Sequence, residues 1–118
     1  MDAVVQQLVE AGYVAAIHQR RPNIIDVRVE GIQLPEERCN EQTATIILPL
    51  PVTFPTTPPY GFFAVTPITL VTGTYRNVSA ADPYRNATFF SRKCDGWNST
   101  KHDVFTLLAY VNRWVRGG

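Results

Sequence analysis

Five prolines between positions 49 and 59 constrain this 118-residue chain more than any other feature. Pro49, Pro51, Pro55, Pro58 and Pro59 each lack the N–H that a strand ladder needs, and each fixes its own φ. Such a run is expected to stay out of central strands and to form a rigid, irregular connection. Regular structure must then come from the segments on either side.

Before the prolines, Val4, Val5, Leu8 and Val9 recur at helical spacing, and Gly12 follows where a left-handed stop residue would stand, so a short amphipathic helix is predicted to open the chain. Ile25, Val27 and Val29 alternate with Asp26, Arg28 and Glu30, the two-residue period of a strand with one wet face. Gly31 and Leu34-Pro35-Glu36-Glu37 read as a turn, and the β-branched run Thr43 to Leu48 reads as a second strand. Beyond the prolines, Phe62 to Thr66 regains strand character. The polar stretch from Thr72 to Ala87, with Gly73, Asp82 and Pro83, reads as a loop. Within it Tyr75-Arg-Asn and Tyr84-Arg-Asn echo each other, a single short match that does not make a repeat architecture. Thr100 with Asp103 fits a capping-box variant ahead of Val104, Leu107, Leu108, Val111, Trp114 and Val115, which share one helical face. Consecutive strands flanked by helices make an α+β domain, and the length suits one such domain over residues 1–118.

Composition narrows the partners. Hydrophobic residues make up 45% and charged residues 18%, as in ordinary globular chains, and a formal net charge of +1 gives no global attraction to nucleic acid or to an acidic membrane. No apolar run approaches the roughly 20 residues of a bilayer-spanning helix, and Asp2, Gln6, Gln7 and Glu10 interrupt any N-terminal secretory segment. A cytoplasmic protein with free thiols is therefore expected. Cys39 and Cys94 lack the paired spacing of a zinc or redox motif, so neither a metal nor a cofactor is expected. Asn77, Asn86 and Asn98 each begin an Asn-x-Ser/Thr pattern, but these are also residues that loops use for backbone hydrogen bonding.

Phe54-Pro55-Thr56-Thr57-Pro58-Pro59-Tyr60-Gly61-Phe62-Phe63 resembles the aromatic-Pro-x-x-Pro-Pro-x-x-x-Phe signature of ubiquitin-conjugating enzymes. The likeness extends over about Gly31 to Val115: a Leu-Pro turn at Leu34, an apolar strand ending in Pro49, the proline crossing, then Phe90-Ser91-Arg92 and Trp97 ahead of an amphipathic helix. In this the chain is similar to the prokaryotic ubiquitin-conjugating-like group labelled family E. The resemblance implies the conjugating-enzyme fold: an N-terminal helix, an antiparallel meander of about four strands, the proline crossing, and a C-terminal helix. It also implies as partners a ubiquitin-like modifier, a ubiquitin-activating-like enzyme and target proteins. The His-Pro-Asn tripeptide of the eukaryotic relatives has no counterpart here, leaving Asn77 and Asn86 as candidates for the oxyanion-stabilising asparagine, Asn86 being nearer in sequence to the reactive segment.

A conjugating enzyme needs a nucleophile that holds the modifier as an ester or thioester. Cys94 offers the better intrinsic chemistry, with Arg92 and Lys93 expected to lower its pKa. Ser91 offers the better position, directly after Phe89-Phe90, as the catalytic cysteine of similar enzymes follows its short strand. A serine would require a base, for which His102, beside Asp103, is the candidate. Arg92, Lys93 and Arg85 are candidate contacts for the modifier, arginine having the fork that suits carboxylates. Trp97 is expected to close the loop onto the core while keeping one donor. The alternative within the family is an inactive variant that binds a ubiquitin-like protein without covalent transfer. Outside it stand a secreted domain bridged from Cys39 to Cys94, and a modifier ending in Arg116-Gly117-Gly118.

Overall fold

The computed structural model describes residues 1–117. Helix α1 (Asp2–Glu10) leads into strand β1 (Val14–Arg21), followed by β2 (Ile24–Gln33), β3 (Thr43–Pro51), β4 (Gly61–Ala64), β5 (Val78–Ala81), β6 (Tyr84–Ser91) and helix α2 (Val104–Val115). The strands form one antiparallel sheet in the order β1-β2-β3-β4-β6-β5. After a four-strand meander, residues 65–77 carry the chain past one strand position, and the β5–β6 hairpin then brings β6 back beside β4. The fold is α+β as expected, with six strands rather than about four. Among the described residues no helix is long and apolar enough to cross a membrane.

The two additional strands carry weak local signals. In β1 (Val-Ala-Ala-Ile-His-Gln-Arg-Arg) an apolar run is followed by a polar run, so no period of two is visible; pairing with β2 from Val14↔Glu30 to Arg21↔Ile24 makes it a strand. The short strand β5 (Val-Ser-Ala-Ala) is largely exposed and lies with the start of β6 in the stretch read as loop. Asp82 and Pro83 serve as the turn of this hairpin.

Two of the prolines also belong to a strand. In the β2–β3 ladder Asp26 faces Pro49 and Ile24 faces Pro51, while Val52 donates its N–H to Asn23 in the next pair along. Hydrogen-bonded and non-hydrogen-bonded pairs alternate, so Pro49 and Pro51 fall where backbone groups point away from β2. On that side β4 pairs with β3 only at Ile46↔Ala64 and Ile47↔Phe63. Pro49 would have been the next donor toward β4, and the ladder ends there. The prolines thus release β4 and open the crossing, which runs irregularly from Val52 to Tyr60.

Both helices contribute to one core. Leu8 of α1 and Val104, Leu107, Val111, Trp114 and Val115 of α2 cluster with Val27, Val29, Ile46, Leu48, Leu50, Phe62 and Phe90. Phe62 stacks between Phe90 at 4.7 Å and Trp114 at 6.1 Å, measured between ring centroids. Val9, expected on the apolar stripe of α1, is exposed. Asp103 is the residue that caps α2, accepting from Phe105 and Thr106 N–H while Thr106 completes the box; the expected partner Thr100 bonds to Asn98 instead. Of the two phenylalanines that bound the proline signature, Phe54 joins this core, whereas Phe63 lies on the opposite sheet face with Ile47 and Ala87.

On that opposite face Arg28 and Glu30 are partly exposed, as the alternation in β2 predicts, but Asp26 is not. Asp26 has no exposed surface and accepts hydrogen bonds from Arg21 at 2.7 and 2.8 Å and from the Tyr84 hydroxyl at 2.8 Å. Burial, then the Asp26 carboxylate, raises the pKa of Tyr84, so the hydroxyl remains a donor. Removing one partner of a buried pair leaves an uncompensated charge. Arg21→Met is therefore expected to cost about 3 kcal/mol in urea unfolding, whereas the exposed Arg85→Met should cost well under about 1 kcal/mol.

Candidate functional site

Ser91 is the last residue of β6 and is exposed. It pairs with Gly61 of β4 on one side, and its N–H donates to the Asn77 carbonyl at 3.0 Å on the other. The next N–H, of Arg92, donates to the Tyr60 carbonyl at 2.8 Å, so the end of the proline crossing is tied to the end of β6. Tyr60 itself is 73% exposed beside this junction. Asn77 has φ 53, a left-handed conformation that asparagine tolerates better than most residues. It is this asparagine that lies beside Ser91.

Asn86, favoured by sequence distance, is not there. It sits five residues back along β6, about 16 Å away at strand rise, lining a small cleft with His18 and Arg28. Arg85 is likewise remote and pairs with Asp82 at 2.8 Å. Lys93 is exposed. Arg92 is half-buried: its guanidinium lies 5.4 Å from the Phe90 ring centroid and donates to the carbonyls of Ser91 at 2.8 Å and Asn77 at 3.4 Å.

No protein-family model, curated protein or solved structure matches this chain.

The expected activation of Cys94 is reversed. Its thiol is buried and directed at the Pro59 carbonyl at 3.7 Å, and burial, with a smaller contribution from Asp95, pushes its pKa up to about 11. Arg92, its neighbour but one in sequence, spends its donors on the carbonyls of Ser91 and Asn77. Relative to a thiol at 9.0, one at about 11 holds about a hundredth of the thiolate near neutrality. Iodoacetamide at pH 8 is accordingly expected to label Cys94 at least about fiftyfold more slowly in the native protein than in urea, with the native rate rising up to about pH 11. Equal rates would contradict the burial. Cys39 is also a free, buried thiol, in contact with the Tyr75 hydroxyl and the Val115 carbonyl.

His102 is committed elsewhere. Its Nδ1 accepts the Asn98 N–H at 2.9 Å, and its ring meets Trp97 edge-on at 5.2 Å. With that lone pair engaged, the proton of the neutral ring is on Nε2, and neither nitrogen is free to take one from Ser91. Trp97 behaves as expected: its indole N–H donates to the Pro55 carbonyl at 2.8 Å and its ring packs against Phe54 and Tyr110. Tyr110 in turn holds the Asp95 carbonyl. Residues 92–103 are thus pinned to both the proline crossing and α2, leaving Ser91 at the exposed edge of a braced loop.

Proposed function

We propose that this chain is a ubiquitin-conjugating-like enzyme of a ubiquitin-like modification pathway, and that it carries the modifier as an oxyester on Ser91. The likeness of Phe54 to Phe63 and of Phe90 to Trp97 to that enzyme group supports the reading. The observation that selects Ser91 is its exposure at the end of β6, against a Cys94 thiol that is buried and raised in pKa. In the step proposed, Ser91 Oγ attacks the modifier's terminal carbonyl carbon, held as a thioester on the activating enzyme. The C–O bond forms, the C–S bond breaks, and the serine proton leaves with the thiolate as a thiol. A target amine then attacks the oxyester, forming the amide and returning a proton to Ser91 Oγ. Incubation with activating enzyme, ATP and modifier should give an adduct that resists thiols and is cleaved by hydroxide.

A second reading is a silent variant that binds a ubiquitin-like protein without transfer. It is favoured by the engagement of His102 Nδ1 and by the remoteness of Asn86. Its signature is retention of the modifier by the native chain with no adduct formed.

A further inference from the structure

A cleft of about 530 Å³ opens next to Ser91, lined among others by Leu70, Tyr75, Arg76, Asn77 and Arg92. Two of its lining residues are arginines and none is acidic. Arg20, Arg21, Arg28, Arg85 and Arg116 are all engaged by carboxylates, whereas among the described residues Arg38, Arg76, Arg92 and Arg113 form no ion pair, and of these four Arg92 alone is not exposed. Arg92 is the unusual one. It is half-buried, burial lowers its pKa, and its guanidinium is held in place by the carbonyls of Ser91 and Asn77 and by the Phe90 ring. A partly desolvated cation fixed by neutral groups alone lacks the anion that normally accompanies it.

We propose that this cleft binds an acidic peptide segment of the ubiquitin-like modifier, with Arg76 and Arg92 as its carboxylate-recognising residues. The inference rests on the reading of Ser91 as acceptor for the partner's identity, since Ser91 is the residue before Arg92 and shares Asn77 with it. A peptide is favoured over a free phosphate by shape and lining. One tetrahedral ion would fill a small part of the cleft and leave Leu70 and Tyr75 uncovered, and the two carbonyls beside Arg92 would repel concentrated negative charge. A carboxylate on an extended chain matches the guanidinium fork and spreads the contact. Recognition is thereby shifted from Lys93 and Arg85 to Arg76 and Arg92.

The test is a titration of the full chain with a fluorescein-labelled peptide of alternating glutamate and glycine, with inorganic phosphate as a second probe. The peptide should bind, and should bind about tenfold more weakly after Arg76→Gln and after Arg92→Lys, which keeps charge but loses the fork. Arg20→Gln, on the far edge strand β1, should change nothing, and salt should weaken binding. Arg76 is exposed, so the thermal unfolding of Arg76→Gln should match the wild type. Absence of peptide binding, binding indifferent to both arginines, or binding of phosphate but not peptide would overturn the inference. The titration needs neither activating enzyme nor Ser91. Failure of adduct formation with peptide binding intact therefore counts against the transfer reading alone, and adduct formation with no peptide binding counts against the cleft alone.

Discussion

Replacing Gly61 by alanine is expected to lower the thermal midpoint by about 20 °C, from a loss of about 4 kcal/mol. Gly61 has φ 143, and a Cβ added there would lie 1.8 Å from the Phe90 carbonyl oxygen and 2.9 Å from its carbonyl carbon. The obstacle is backbone, so no rotamer change relieves it, and β4 must move away from β6. The left-handed φ adds strain of its own for a residue with a side chain. Gly12 is the internal control. It also has a left-handed φ, 98, but nothing lies within 4 Å of its missing Cβ, so Gly12→Ala should cost only about 1 kcal/mol. Circular dichroism melts of the two variants separate conformational strain from collision. Midpoints within a few degrees of each other would show that the β4–β6 approach is not as close as described. Because Gly61 pairs with Ser91, the same substitution should also impair the proposed modifier transfer.

The second large effect concerns the proposed acceptor. Ser91→Ala is expected to abolish the covalent adduct, a loss of at least about a thousandfold, because Ser91 presents an exposed hydroxyl at the end of β6 while the Cys94 thiol is buried. Cys94→Ala should retain it. The Cys94 thiol is sealed under Pro59, and its replacement removes a small buried side chain at a cost of about 1–2 kcal/mol. Ser91→Cys should form the adduct faster and make it labile to dithiothreitol, since a thioester replaces the oxyester. Gel analysis of the four proteins with and without thiol is sufficient. An adduct that persists in Ser91→Ala and vanishes in Cys94→Ala would reverse the assignment.

Much of the architecture is legible in the chain because its signals are local. The stripe of Leu107, Val111 and Trp114 on α2, the β-branched run of β3, and Trp97 closing its loop all depend on neighbours within a few positions or on one large side chain seeking a core. What escapes is set by partners distant in sequence. Asp26 alternates with Val27 as a surface residue would, yet Arg21 and Tyr84 cover it from β1 and β6. Pro49 and Pro51 look incompatible with a strand until the early departure of β4 leaves their side of β3 unpaired. In β5, small residues give no pattern, and only the pairing of Val78 with Phe90 and Ser79 with Phe89 makes a strand of them.

The same distinction governs the site. Ser91 at the end of an apolar strand was legible from Phe89-Phe90, and the structure exposes it there. The supporting residues were not. Sequence proximity favoured Asn86 over Asn77, although residues five apart on one strand are far apart in space and residues on paired strands are close. Proximity also assigned the charges of Arg92 and Lys93 to Cys94, whereas the direction of each side chain decides what it perturbs. A tyrosine as exposed as Tyr60, placed where the crossing meets β6, had no sequence signal beyond its position among prolines.

The most direct measurement is peptide mass mapping of the adduct trapped from activating enzyme, ATP and modifier, before and after brief alkali. The account predicts the modifier's terminal residue attached to the peptide containing Ser91, through a bond that withstands dithiothreitol and is released by hydroxide. Attachment through the sulfur of Cys94, or recovery of the chain bound to the modifier with every nucleophile unmodified, would contradict it.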